Sequence, residues 1–480
     1  MAWRAQFQLE GGPDPVFQRI VRALTEEIAR GRLAPGQRLP GSRTLADSLG
    51  VHRNTVLAAY RELEAQGWVS TRPGSGTYVA DAVDPLPPLT RLPEAPGFDL
   101  HETAPPRLSP EFPRGTLVMA GGRPDLRLVP VAEIARAWRR GIRNSGRTLL
   151  DYGDQLGHPR LREALSGMLS AQRGVVPARR GLMVTRGSQM ALYLVARTLV
   201  RPGDRVAVEA FGYPPAWAAF RAAGAELVPI EVDDKGLRVD SLRSALEDGP
   251  IRALYLTPHH QFPTMVVLDA SRRLELLTLA AERRFAVIED DYDNEFHYRG
   301  RPVLPLASLD RNGVVVYVGT LSKVLAPGLR MGYVAAPPAL ISQLAAHRIL
   351  VDRQGDLATE YAVAELIEEG SLARHLRRAR KAYASRQLAL VDALRTHLPD
   401  VISFDVPPGG LAIWARSRRD VATWQSDALK RGVAFETAQH HHFHGEDLQF
   451  IRLGFGGLSE TELHEAVRRL ASIDIISDIR

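Results

Sequence analysis

At 480 residues the chain is too long for one ordinary core and should hold two or more domains. Its 45% hydrophobic and 24% charged content is that of a soluble globular protein, and no apolar run is long enough to span a membrane. The net charge of +6 permits nucleic-acid binding without demanding it; zero cysteines exclude disulfides and thiolate metal sites and agree with a cytoplasmic location, as does an N-terminus without a signal peptide's apolar core.

Val16, Ile20, Ala23, Leu24 and Ile28 recur at helical spacing, and Gly31 to Gly36 breaks that helix. A short second helix is predicted over 42–49, with Ser42 as N-cap and Gly50 as its stop. A third runs from Asn54 to Gln66, with Val56, Ala59, Tyr60 and Leu63 on one face. Trp68 to Thr71 and Thr77 to Val79 flank Arg72-Pro73-Gly74-Ser75-Gly76 and read as a hairpin. Two short helices joined by a glycine turn, then a hairpin, describe a winged helix-turn-helix. Its third helix would enter the major groove of double-stranded DNA with His52, Arg53, Asn54 and Thr55 at the bases. Arginine suits guanine, asparagine suits adenine, and threonine suits phosphate or the thymine methyl. Arg43 could hold the backbone, and Gly74 and Gly76 would let the wing approach a groove closely. The plainer alternative is a small helical interaction module with scattered surface arginines.

Prolines at 85, 87, 88, 93, 96, 105, 106, 110 and 113 mark a semi-extended linker. The expected division is a DNA-binding domain at 1–80, a linker at 81–114 and a large domain at 115–480.

The large domain carries a series of strand ends with chemistry on them. Leu182 to Arg186 is strand-like, and Gly187-Ser188-Gln189 then opens a helix, so that backbone N–H groups could hold an anion. Val206 to Ala210 leads to Tyr213, an aromatic that could stack on a pyridine ring. Phe285 to Tyr292 is a strand ending in acids and a phenol, with Asp290 and Tyr292 on one side of it. Val314 to Val318 leads into Gly319-Thr320-Leu321-Ser322-Lys323-Val324-Leu325-Ala326-Pro327-Gly328-Leu329-Arg330. A lysine at such a strand end can form an imine with an aldehyde, while Thr320, Ser322 and Arg330 could hold a phosphate. Lysine, phosphate grip and a carboxylate for a pyridine nitrogen together point to pyridoxal 5′-phosphate (PLP), with Lys323 as the Schiff-base residue.

The order of these blocks resembles the fold-type I aminotransferases. So does Asp151-Tyr152-Gly153-Asp154-Gln155-Leu156-Gly157-His158-Pro159-Arg160, where the resemblance implies that Tyr152 reaches the cofactor phosphate of a neighbouring subunit. Arg452, in Ile451-Arg452-Leu453-Gly454-Phe455, is similar to that family's arginine for a substrate carboxylate. One segment departs: where aminotransferases have Asn-Pro-Thr-Gly, this chain has Phe262-Pro263-Thr264-Met265 after His260-Gln261. Phe262 cannot donate to the cofactor's phenolic oxygen, so Gln261 or His260 must substitute or the contact is missing. Leu33 to Ala46, together with Gly67-Trp68-Val69 and Pro73 to Val79, resembles the GntR-type DNA-binding domain. That match assigns DNA contact to Arg43, Arg53, Asn54, Thr55 and the Gly74–Gly76 wing. The two halves in one chain resemble the MocR subfamily of bacterial regulators, whose versions of His260 to Thr264 and Glu289 to Phe296 match closely. The resemblance implies a multidomain chain: an N-terminal winged helix-turn-helix plus an α/β PLP-dependent fold-type I aminotransferase-like domain. It also implies a head-to-tail homodimer.

Two other signals are set aside. His440, His441, His442 and His444 read as a polar loop, and no metal centre is expected; Arg374, Arg377, Arg378, Arg380 and Lys381 read as a solvated helix face. The expected function is a PLP-dependent, DNA-binding transcription regulator that senses PLP or an amino compound. One rival is an active aminotransferase carrying a DNA-binding appendage. Another is a DNA-binding module whose large domain only dimerises.

Overall fold

The computed structural model describes residue 9 and residues 14–81, 95–100, 112–300 and 303–473. The chain divides into two compact units, Met1–Ala104 and Pro105–Arg480. Most of the expected linker at 81–114 lies outside the described residues.

In the N-terminal unit, helices α1 (Val16–Ala29), α2 (Ser42–Leu49) and α3 (Arg53–Ala65) precede a hairpin of β1 (Val69–Arg72) and β2 (Gly76–Val79). The hairpin is antiparallel, with Val69 opposite Val79 and Arg72 opposite Gly76. Ile20, Leu24, Leu45, Val56 and Leu63 meet in its core, each fully buried. In so small a core each leucine truncated to alanine costs about 2–5 kcal/mol. Gly50 closes α2 at φ +64, a left-handed position suited to glycine. The expected Ser42 cap is corrected: Gly41 is the N-cap, and Ser42 is already helical. Its hydroxyl instead accepts from Arg53 Nε at 3.3 Å. Helix α3 starts one residue earlier than predicted, because His52 caps it by accepting from the Asn54 amide through Nδ1 at 3.2 Å.

The C-terminal unit is built on a seven-stranded sheet. Its strands are β3 (Leu182–Thr185), β4 (Arg205–Glu209), β5 (Glu226–Ile230), β6 (Ala253–Leu256), β7 (Ala286–Asp291), β8 (Val315–Thr320) and β9 (Gly332–Ala335). They lie in the order β3-β9-β8-β7-β6-β4-β5. Only β9 runs against its neighbours. Continuous apolar sequence follows from burial on both faces: every residue of β3, β6, β8 and β9 is buried. Parallel pairing brings the carboxyl ends of β4, β6, β7 and β8 to one edge, where α/β sheets bind ligands. Helix α4 (Gly187–Leu199) starts from the end of β3, and α5 (Pro214–Ala222) follows β4.

Helix α6 (Ser371–His397) leads to a four-stranded antiparallel sheet of β10 (Ile402–Phe404), β11 (Ala412–Ser417), β12 (Glu436–Thr437) and β13 (Phe450–Gly454). Its order is β10-β11-β13-β12. Pairing of β12 with β13 sets Glu436 opposite Arg452. Arg377, Arg378 and Lys381 on α6 are exposed, as a solvated face requires. No helix among the described residues is long and apolar enough to cross a membrane.

Candidate cofactor pocket and DNA-reading face

Asp290, near the end of β7, is 5% exposed. Side-chain alternation sends Glu289 and Asp291 the other way. Glu289 accepts the Leu306 and Ala307 amides, and Asp291 joins Arg173 and Tyr317. Asp290 Oδ2 accepts from Tyr255 at 2.9 Å, but Oδ1 is buried without a partner. Burial, despite the Tyr255 bond, pushes its carboxyl up to about 7, and the charges of Asp291 and Asp293 add to the effect. Such a group calls for a cationic hydrogen-bond donor.

Lys323 lies in the turn after β8, half-buried, with Nζ 3.2 Å from the Gly122 carbonyl and 3.4 Å from that of Gly121. Burial, reinforced by the Arg452 charge, lowers its amine to about 8. About a tenth is therefore neutral, and hence nucleophilic, at pH 7.

Gly187 opens α4 at φ +79, and no side chain caps that helix. A Cβ on Gly187 would stand 3.0 Å from the Arg330 guanidinium, and one on Gly332 would stand 2.7 Å from the Gly187 backbone. The absent side chains let Arg330 and the free N–H groups of Gly187, Ser188 and Gln189 converge, a favourable arrangement for a phosphate. The Gln189 side chain donates through Nε2 to the Pro215 carbonyl at 2.8 Å. Thr320 Oγ1 accepts the Ser322 amide at 3.1 Å, fixing the turn ahead of Lys323. Tyr213 begins the turn into α5 and feels the charges of both Asp290 and Arg330.

Pyridoxal 5′-phosphate fits these residues. Lys323 would bond its carbonyl carbon, Asp290 Oδ1 would take its pyridine N–H, and the cradle from Gly187 to Gln189 with Arg330 would take its phosphate.

Within this chain Tyr292 and Tyr152 make contacts of their own. Tyr292 donates its hydroxyl to the His260 carbonyl at 2.9 Å, so donation to a cofactor oxygen requires that bond to break. Tyr152 is 73% exposed, its ring 3.8 Å beneath the Arg353 guanidinium, apart from the buried set. Neither Gln261 nor His260 offers the missing donor from its present contacts. Gln261 Nε2 binds the Phe211 and Phe262 carbonyls, and His260 Nδ1 lies 2.7 Å from Asp293. Met265 takes φ +66, which explains why glycine is usual there and adds strain of about 1–2 kcal/mol.

Phe262 stands among Tyr213, Tyr292 and His441, with the Arg452 guanidinium 4.7 Å from its ring centre. Arg452 is 2% exposed. Its Nη1 is 3.5 Å from Glu436, too long for a strong ion-pair hydrogen bond, and its Nε has no partner. Although burial opposes ionisation, His441 and Arg452 together draw Glu436 down to about 2. Sequence reasoning missed Tyr255 and Glu436, and it read His441 as part of a polar loop, whereas His441 is 1% exposed and meets Glu436 and Phe262.

On the N-terminal unit, Arg53 and Asn54 occupy the exposed first turn of α3, with Thr55 half-buried beside them. Arg43 is exposed on α2. Gly74 and Gly76 turn the wing at φ +73 and +126. Arg38, which sequence reasoning did not single out, packs its guanidinium against Gly76, where a Cβ would stand 2.9 Å from Nε.

These features define a winged helix-turn-helix joined to a PLP-binding fold-type I domain. The family of class I and II aminotransferases matches residues 119–470, and the gntR family of bacterial regulatory proteins matches residues 17–79. The "Probable rhizopine catabolism regulatory protein MocR" of Rhizobium meliloti is 35% identical over 95% of this chain and 93% of its own length. Among solved structures, the multiple substrate aminotransferase of Thermococcus profundus is 31% identical with a TM-score of 0.70, over 75% of this chain and 91% of that one. The α-aminoadipate aminotransferase LysN of Thermus thermophilus, solved with N-(5′-phosphopyridoxyl)-L-leucine, is 30% identical with the same TM-score of 0.70, over 75% of this chain and 92% of that one. The chain belongs to the MocR subfamily of GntR-type regulators and is a PLP-dependent, DNA-binding transcription regulator.

Proposed function

We propose that the Lys323 pocket is a sensor whose occupancy, rather than its turnover, is the output. PLP, when bound, supplies a carbonyl carbon open to amines and an electron-accepting ring. Lys323 holds it by its neutral amine, Asp290 keeps the pyridine nitrogen protonated, and Gly187, Ser188, Gln189, Thr320, Ser322 and Arg330 hold the phosphate. Tyr213 stacks on the ring, and Tyr292 lines the pocket. In a head-to-tail homodimer Tyr152 completes the phosphate grip of the neighbouring protomer. Arg43, Arg53, Asn54, Thr55 and the Gly74–Gly76 wing read operator DNA.

The observation that carries the choice of effector is Arg452, a buried guanidinium with one free N–H and one long contact. It favours an amino compound that also bears a carboxylate. The Phe262 and Met265 substitutions leave proton transfer poorly supported, so half-transamination is slow. Regulation then requires that the effector bind one arrangement of the units better than another.

The test is a spectral titration of the PLP-loaded protein with amino acids and with the amines left by their decarboxylation. The amino acids should bind at least tenfold tighter, and Arg452→Ala should erase that preference. Equal affinity for both series in the wild type would reject a carboxylate-bearing effector.

A further inference from the structure

Outside the functions assigned so far, the interior of the C-terminal unit holds an unusual group of imidazoles. His259 and His260 follow Pro258 after β6, and His297 follows the acidic segment after β7. Nitrogen atoms of these three side chains lie within 4.8 Å of one another. His259 and His260 are 4% and 1% exposed. Their ring centres are 4.4 Å apart, and that of His297 is 6.3 Å from His259.

Hydrogen bonding leaves these rings incomplete. His259 Nδ1 and Nε2 and His260 Nε2 are buried without a partner, and His297 has no side-chain partner, only a backbone contact with Arg299. A neutral imidazole always carries one N–H donor, and burying one unpaired costs about 1–3 kcal/mol. The exception is His260 Nδ1, 2.7 Å from Asp293 Oδ1. A carboxylate there holds the proton on Nδ1 and leaves the Nε2 lone pair free, the arrangement that orients metal-binding histidines. Gly409 makes room for this ring, since a Cβ there would stand 2.9 Å from His260 Nε2.

We propose that His259, His260 and His297 form a binding site for a divalent transition-metal ion, with Zn²⁺ the best match. Three imidazole donors suit zinc, whereas magnesium and calcium require oxygen donors. Zn–N bonds of about 2.0–2.1 Å place tetrahedral ligands roughly 3.4 Å apart, so the rings must draw together by small side-chain rotations. The ion would tie the turn carrying Phe262 to the segment carrying Tyr292. Those two are already joined, because Tyr292 donates to the His260 carbonyl. Metal occupancy is thereby linked to the wall of the PLP pocket. This site is separate from the run of histidines at 440–444.

The test uses full-length, PLP-loaded protein, cleared of free PLP and treated with chelator, then titrated with ZnCl₂ by calorimetry. One equivalent per chain is expected, and Co²⁺ in its place should show visible d–d absorption. His259→Ala and His297→Ala should each weaken Zn²⁺ at least tenfold, and a His442→Ala/His444→Ala double variant should retain the equivalent. If His259→Ala does not fold, His297→Gln alone should abolish the zinc-dependent rise in Tm. Absence of a saturable equivalent in the wild type overturns the proposal. So does an equivalent that survives loss of both His259 and His297, or one that disappears with His442 and His444.

Discussion

Asp290→Asn should act in opposite directions on the stability of PLP-free protein and on cofactor binding. Asp290 is buried, with one oxygen unpartnered by any protein group, and its carboxyl stands at about 7 rather than 3.8. Above pH 3.8 the unfolded chain releases this proton, while the folded chain retains it until about 7. The folded state therefore binds more protons in that window, and stability falls as pH rises through it and levels off above. At 1.36 kcal/mol per pH unit, the full difference is about 4 kcal/mol, an upper bound once local relaxation and water entry are allowed. Asparagine keeps an oxygen for the Tyr255 hydroxyl but carries no charge. PLP-free Asp290→Asn should thus be more stable than wild type at pH 8, by about 1–3 kcal/mol, with the gap shrinking towards pH 5. It should also bind PLP at least tenfold more weakly, because the pyridine nitrogen loses its anionic partner. Urea unfolding of the PLP-free proteins at both pH values, with fluorescence titration of PLP, measures all three quantities. A variant less stable than wild type at pH 8, a gap independent of pH, or unchanged PLP affinity would refute the reasoning.

Other outcomes follow from the same geometry. Lys323→Ala should lose all borohydride-fixed PLP while keeping its fold; peptide mapping that finds label on another lysine would reject the assignment. Gly187→Ala should cost about 1–2 kcal/mol in backbone strain and weaken PLP more than it weakens pyridoxal, because the new methyl displaces Arg330; equal effects on both ligands would move the phosphate site elsewhere. Arg53→Ala should lower affinity for operator DNA by about 1–3 kcal/mol while leaving random DNA less affected, and Arg43→Ala should weaken both and flatten the salt dependence. Equal losses on both DNAs for Arg53→Ala would demote Arg53 to a phosphate contact.

Features encoded by local pattern were legible in the sequence. Helix spacing in the first eighty residues, glycine stops such as Gly50, and the strand ends leading to Gly187, Asp290 and Lys323 all appear where periodicity and turn chemistry put them. The cofactor motifs could be read because each hangs from a buried strand; parallel pairing aligns the ends that lead to Asp290 and Lys323, and β9 joins the strand that leads to Gly187 to the same sheet. Interactions set by tertiary proximity were not legible. Tyr255 reaches Asp290 from the neighbouring strand, and Glu436 meets Arg452 only through the pairing of two short antiparallel strands. The Tyr292 hydroxyl goes to the backbone carbonyl of His260, a contact that the side chains of the His260–Thr264 motif do not announce. The Ser42 cap failed for a local reason: Gly41 already supplies the non-helical residue, so the hydroxyl is left for Arg53. The three clustered histidines come from two segments more than thirty residues apart, whereas the run at 440–444 drew attention because it is contiguous.

The central claim is that pocket occupancy, not catalysis, is what this chain transmits. One preparation of full-length protein should be assayed for operator affinity and DNA bending, with and without PLP and an amino-acid effector, and in parallel for release of keto acid. Operator affinity or bending that changes with pocket occupancy, alongside absent or slow half-transamination, is the predicted result. Rapid multiple turnover, with operator binding indifferent to both PLP and the amino compound, would contradict it.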